Sequence, residues 1–238
     1  MDWSRHRAVL FDLDGVITPT AAVHEHAWTE LFAPWDFTAD DYLTYVDGKP
    51  RYDGVRSFLA ARDVTLPEGT PDDPPGDDTV CAMGNRKNEV FNAILERDGV
   101  TPYPGTIRVL DHLDDLGIAQ AIVSSSKNAR PVLRAAGLGN RFAHVVDGIT
   151  AVDEGLAGKP DPAMFLRGAG LLGVEPSDAV VVEDASSGVA AGSAGDFGFV
   201  LGVDRGGNRE SLTAAGADLV VDDLAETLEG DDLVKDGR

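Results

Sequence analysis

Two carboxylates, Asp12 and Asp14, stand two residues apart at the end of the apolar run Ala8-Val9-Leu10-Phe11. A buried parallel strand would stop there, and an open α/β sheet gathers its chemistry at such strand ends. Successive strand side chains point to opposite faces, so the two carboxylates cannot line one pocket wall if the strand runs on through both. Gly15 suggests that it does not. If the chain curls after Asp12, one carboxylate can face a ligand in line while the other approaches from the side, with the intervening carbonyls turned to a cation. That arrangement suits phosphoryl transfer: one carboxylate attacks phosphorus to give an aspartyl-phosphate, and the second passes a proton to or from the leaving oxygen. The spacing alone also fits a strand end with two solvated acids, so other segments must decide.

Three segments do so, each closing an apolar run. Ala119–Val123 leads into Ser124-Ser125-Ser126-Lys127-Asn128, which offers hydroxyls, an amide and a cation ahead of a helix expected from Asn128, donors that phosphate oxygens require. Gly158-Lys159-Pro160-Asp161-Pro162 sets a lysine on a stiff turn, with Asp161 as expected N-cap and Pro162 at the first helical position. Ala179-Val180-Val181-Val182-Glu183-Asp184 reads as a buried strand ending in adjacent acids of the kind that hold magnesium, and Ser186-Ser187-Gly188 then opens another helix.

In order and over nearly the whole chain, these four segments resemble the four motifs of the haloacid dehalogenase superfamily of phosphotransferases, and within it the β-phosphoglucomutase-like subfamily. The resemblance implies Asp12 as nucleophile and Asp14 as general acid/base, with Ser124 and Lys159 holding the transferring phosphoryl group. It implies Mg²⁺ held by Asp12, Glu183, Asp184 and the backbone carbonyl of Asp14. Lys159 would also offset the charge by which Asp12 repels the phosphate it attacks. In the segment between the first two motifs the resemblance implies substrate contacts. Arg51, in Asp47-Gly48-Lys49-Pro50-Arg51, and the loop Ser125, Ser126, Lys127 and Asn128 would grip the phosphate that is not being transferred, with Gly48 in the same turn. Lys87 would hold the sugar, and Thr20, His24 and Trp28 fit positions on the first helix of that segment.

Composition is consistent with point-charge roles for these cations. Of 20 Lys plus Arg only five are lysines, and four of those, Lys49, Lys87, Lys127 and Lys159, lie in candidate site segments; dispersed solubilising lysines would crowd the helices instead. A chain of 238 residues can bury one α/β core and carry a modest second lobe. Its net charge of −21 argues against nucleic-acid and anionic-membrane partners, so a phosphorylated sugar must be drawn by a locally positive pocket. The lone Cys81 excludes an intramolecular disulfide, and no apolar run reads as a signal core or membrane span. A soluble cytoplasmic monomer is expected.

From Thr106 onward, helical and strand-like stretches alternate and predict an α/β core, a Rossmann-like doubly wound parallel sheet. Residues 20 to 102 read as helices only, near 21–31, 39–46, 52–62 and 86–98, and predict an all-α helical cap inserted between core residues 1–19 and 103–238. Proline and glycine at Thr18-Pro19-Thr20 and Thr101-Pro102-Tyr103-Pro104-Gly105 mark the expected hinges. The polar, proline-rich stretch Leu66 to Asp78 reads as a mobile surface loop, and residues 230–238 as a frayed tail. Pro19, Asp47, Lys49 and the acidic stretch depart from the subfamily pattern and bear on the sugar recognised. The expectation is therefore a mutase interconverting β-glucose 1-phosphate and glucose 6-phosphate through a bisphosphate. A sugar phosphatase with the same covalent intermediate, or a catalytically idle phosphometabolite-binding protein, stands as the alternative.

Overall fold

The four consecutive apolar residues of β1 (Ala8–Phe11) are buried on both sides, as a strand covered by helices on each face must be. The chain is described by a computed structural model over residues 1–228; the tail expected to fray lies outside the described residues. By its contacts the chain divides into two compact units, Met1–Pro19 with Thr101–Arg238, and Thr20–Val100.

The second unit is helical: α1 (Thr20–Leu31), α2 (Ala39–Asp41) running into a π-helical turn at Tyr42–Val46, α3 (Arg51–Ala60) and α4 (Val80–Asp98). Its core is aromatic. Phe32 lies 4.1 Å from Phe58 and 5.4 Å from Trp28, centroid to centroid, and Leu31, Val55, Leu59 and Met83 close round them. Offset aromatic pairs of this kind add to the burial of their area.

In the first unit the chain continues through α5 (Pro104–Asp115), β2 (Ala119–Val123), α6 (Ala129–Ala135), β3 (His144–Val146), α7 (Gly148–Glu154) and α8 (Ala163–Leu172). It ends through β4 (Ala179–Glu183), α9 (Ser186–Ala194), β5 (Phe199–Val203), α10 (Arg209–Ala214) and β6 (Leu219–Val221). The strands form one parallel sheet in the order β3-β2-β1-β4-β5-β6. This is the doubly wound α/β fold, with helices packed on the sheet around Leu10, Val123, Val181, Met164 and Phe165. Leu10 stands opposite Ala121 on one side and Val181 on the other, so the carboxyl ends of β2, β1 and β4 come level. Strand order reverses beside β1, which is where such sheets open a crevice.

Two helices differ from the sequence expectation. The sequence expectation places no helix between β3 and Pro162, and Gly148, Ile149, Thr150 and Val152 have poor intrinsic helix propensity. Asp147 supplies what they lack: its Oδ1 accepts from the Ile149 and Thr150 amides at 3.1 and 2.9 Å, an N-cap. Helix α4 starts at Val80 instead of near Arg86, since Thr79 Oγ1 accepts from the Ala82 amide at 2.9 Å and caps it there. The acidic stretch also differs from expectation. Instead of standing off as a mobile loop, it is stitched to α3 and α4: Arg56 donates to both Glu68 oxygens, the Cys81 amide to Glu68 O, and the Gly76 amide to Ala82 O. Its backbone carbonyls at Pro67 and Glu68 accept from the first amides of α4, Val80 and Cys81, while side chains of Arg56, Thr70 and Thr79 hold its Glu68 and Asp73 carboxylates.

Candidate active site

The β1 ladder reaches Asp12, whose amide donates to Val182 O at 2.9 Å, and then the chain curls. The Gly15 amide donates to Thr18 O at 2.7 Å, and the Ile17 and Thr18 amides both return to Leu13 O. Gly15 has φ +86°, a left-handed conformation suited to glycine, and any Cβ there would overlap the Asp184 carboxylate. Glycine thus permits both the turn and the approach of the acid from β4.

Three strand ends converge on one ammonium. Lys159 Nζ donates to Asp12 Oδ1 at 2.5 Å and Val123 O at 3.1 Å, and pairs with Glu183 Oε1; its charge also lies 4.8 Å over the Phe165 ring. Asp161 Oδ1 accepts from the Ala163 amide at 2.9 Å, with Pro162 at the cap, which anchors the turn that carries Lys159. The other Glu183 oxygen accepts from the Asp184 and Ala185 amides, both at 3.1 Å. Burial disfavours the Asp12 carboxylate and pushes its pKa well above the ordinary range, against the pull of Lys159. Burial likewise opposes the Lys159 charge, but Asp12 and Glu183 outweigh it and hold the ammonium well above the usual lysine value.

Asp12, Glu183 and Asp184 offer oxygens within 4.8 Å of one another. An all-carboxylate set at this spacing fits a hard, oxygen-seeking divalent cation. Asp14, expected to act through its carbonyl, contributes no carboxylate to that cluster. Ser124 is buried next to Val123, and its Oγ accepts from the Ser126 amide at 3.1 Å. Ser126 Oγ in turn accepts from the Asn128 amide, and its carbonyl from the Gly148 amide, so the loop Ser124 to Asn128 is wound by its own hydroxyls.

Sequence reasoning missed a fifth loop, after β5. Asp204 Oδ1 accepts from the Gly206, Gly207 and Asn208 amides and folds Asp204–Asn208 into a tight turn. From it Arg205 Nε donates to Gly15 O at 2.8 Å, and Asn208 Nδ2 to Asp184 O at 2.9 Å. The Arg205 guanidinium also lies 3.7 Å from the Tyr103 ring centroid. One loop therefore braces both acid-bearing turns. Its signal was present: Asp204-Arg205-Gly206-Gly207-Asn208 is a cluster of turn formers closing an apolar run, like the other four segments.

The remaining predicted residues, Thr20, His24, Trp28, Gly48, Arg51 and Lys87, lie in the helical unit in separate groups. Lys87 is buried; its ammonium pairs with His24 Nδ1 and lies 5.1 Å from the centroids of both Trp28 and Phe91, while His24 stacks on Phe91 at 4.2 Å. Trp28 is a member of the aromatic core, and Thr20 is the buried first residue of α1. Gly48 takes φ +66° in the turn before α3. Arg51 opens α3 and reaches Asn85 Oδ1 at 3.2 Å and Asn88 Oδ1 at 3.0 Å on α4. Burial lowers its pKa from the usual arginine value.

A parallel sheet with a strand-end aspartate, a shared lysine and paired acids on the neighbouring strand defines a class of phosphoryl-transfer enzymes, and the profile of the haloacid dehalogenase-like hydrolases matches residues 6–196. The chain belongs to the haloacid dehalogenase-like hydrolase family. Within it, the chain is 48% identical to a β-phosphoglucomutase of Mycobacterium bovis, over 93% of this chain and 91% of the relative. It is 31% identical to hexitol phosphatase A of Escherichia coli over 80% of each. Among solved structures, β-phosphoglucomutase from Clostridium difficile superposes with TM-score 0.77 at 28% identity, covering 93% of this chain and 92% of that one.

Proposed function

We infer that this enzyme interconverts β-D-glucose 1-phosphate and glucose 6-phosphate through an aspartyl-phosphate and glucose 1,6-bisphosphate. The chemistry rests on one observation, the buried Lys159 ammonium held on Asp12 at 2.5 Å. Phosphoryl transfer to a carboxylate brings together two anions, and a fixed cation at the attacking oxygen lowers that barrier. The phospho-Asp12 form donates its phosphoryl group to the sugar 6-hydroxyl, and Asp14 accepts the hydroxyl proton. The bisphosphate turns over, Asp12 attacks phosphorus on the C1 side, the P–O1 bond breaks, and Asp14 returns the proton to O1. Ser124 and Lys159 hold the group in flight. Asp12, Glu183, Asp184 and the Asp14 carbonyl would hold Mg²⁺, which would supply further neutralisation of that group. Arg51 and the loop Ser125 to Asn128 grip the other phosphate, and His24, Trp28 and Lys87 serve the sugar. The identity to a β-phosphoglucomutase over most of both chains favours the mutase.

The resemblance to hexitol phosphatase A supports one alternative, in which water attacks the same aspartyl-phosphate. Phosphorus NMR separates the two readings, using purified protein with Mg²⁺, β-glucose 1-phosphate and a trace of glucose 1,6-bisphosphate. Glucose 6-phosphate without matching free phosphate is the expected result; stoichiometric free phosphate would make the enzyme a phosphatase.

A further inference from the structure

The acidic stretch of the helical unit, absent from the proposed chemistry, ends on the one arginine that chemistry needs there. Asn85 joins them. Its Nδ2 donates to Pro71 O at 3.0 Å and Asp73 O at 2.9 Å, and its Oδ1 accepts from Arg51 Nη1 at 3.2 Å and Tyr52 OH at 3.0 Å. A primary amide has two donor hydrogens and two acceptor lone pairs, and all four are used. Asp73 is itself fixed, accepting from Thr70 Oγ1 at 2.9 Å and from Thr79 Oγ1 at 2.7 Å. Gly84 completes the seat: a Cβ there would meet the Tyr52 ring at 2.7 Å and Arg51 Cδ at 3.0 Å, so its absence lets Arg51 lie along α4.

The chemistry of the acceptors matters as much as their positions. Both groups that hold the guanidinium are neutral amides, and among the described residues no carboxylate is paired with Arg51. An amide oxygen orients a cation without cancelling its charge, and a pre-set side chain loses less freedom when a ligand arrives.

We propose that Asn85, pinned by the acidic segment at Pro71 and Asp73, is a positioning residue that presents the Arg51 guanidinium to the phosphate not being transferred. The proposal rests on the mutase reading, in which the substrate carries a second phosphate. It gives the acidic stretch a purpose in substrate recognition, exerted entirely through one side chain.

The test compares Arg51→Ala, Asn85→Ala and Asn85→Asp in two assays, phosphosugar isomerisation and hydrolysis of p-nitrophenyl phosphate, which offers a single phosphate. Asn85→Ala is expected to raise KM for β-glucose 1-phosphate by about tenfold while kcat stays within about threefold, because a misaimed grip weakens binding before it touches the reacting atoms. Asn85→Asp keeps the shape but faces Pro71 O and Asp73 O with a carboxylate and gives Arg51 a counter-charge, so its KM rises further. Hydrolysis of p-nitrophenyl phosphate by either Asn85 variant moves by less than about twofold. If Arg51→Ala raises KM and folded Asn85→Ala does not, the positioning role is wrong while the mutase reading stands. If Arg51→Ala leaves KM unchanged, the reading of Arg51 fails and this inference with it. Equal losses in both assays would reduce Asn85 to a structural residue and overturn the proposal. Should Asn85→Ala fail to fold, Asp73→Ala replaces it, with a KM rise of about threefold expected from loosening the same segment; no rise overturns the proposal.

Discussion

Lys159 and Arg51 are both cations for which a phosphate-handling role is proposed, and the protein holds them in opposite ways. Lys159 lies on the carboxylates of Asp12 and Glu183, whereas Arg51 lies on the amides of Asn85 and Asn88. In the first case the cation balances acids that burial would otherwise expel or protonate. In the second, the charge is oriented but not balanced, and its field remains available to an arriving dianion. The cation of the acid-lined pocket is paired with acids; the one proposed to capture an anion is held by dipoles.

The largest effect expected on that contrast comes from Asp12→Asn, which removes the proposed nucleophile yet leaves Lys159 its partner Glu183. Turnover should fall by about 10⁴-fold or more with little loss of stability, seen as a flat thermal unfolding midpoint beside absent isomerisation. Lys159→Met leaves two buried carboxylates without a counter-charge and should cost about 3–5 kcal/mol in denaturant titrations. Arg51→Met leaves only amides behind and should cost under about 1 kcal/mol; equal losses at the two positions would break the comparison. Arg205→Ala releases the Gly15 carbonyl beside Asp14, and the Mg²⁺ concentration for half-maximal activity should rise by about tenfold, the usual size of an outer-support effect.

The smallest effect is a pH dependence in the acidic stretch. Hydrogen bonds from Arg56 hold the Glu68 carboxyl below its ordinary value, and those from Thr79 and Thr70 do the same for Asp73. A depressed carboxyl contributes stability that is present above its unfolded value and lost as pH falls through the folded one. The stretch should therefore stay pinned at pH 5 and loosen below about pH 4. Protection of the Cys81 amide, which donates to Glu68 O, reports this by hydrogen exchange against Arg56→Ala at the same pH.

The sheet was legible because its strands are continuous apolar runs and each chemical motif closes one of them; Ala179–Glu183 was read residue for residue. The turn at Gly15 was legible for the same reason, since a left-handed position at a strand end has few other uses. Helix α7 was not, because its helicity comes from the Asp147 cap and not from its own residues. Arg205 and Asn208 escaped because their contacts are with backbone carbonyls far away in sequence, and no spacing rule encodes such a partner. Asn85 escaped in the same way: it precedes the helix expected from Arg86 and carries no chemistry of its own, and only its four bonds show what it joins. The acidic stretch is a surface segment as read, but its anchoring was not legible, because polarity and proline content do not show that Arg56, Thr79 and the first amides of α4 hold it.

The ammonium shared by Asp12 and Glu183 also bears on how the protein is made. A pocket of three acids that relied on a divalent ion for its counter-charge would leave the newly synthesised chain waiting on metal supply, as small metal-nucleated domains do. Here the chain brings its own cation, Lys159, into the pocket, 147 residues from Asp12 in sequence, so folding should not wait on a divalent ion. Chelation should silence this enzyme and leave it folded, ready to be restored when the ion returns.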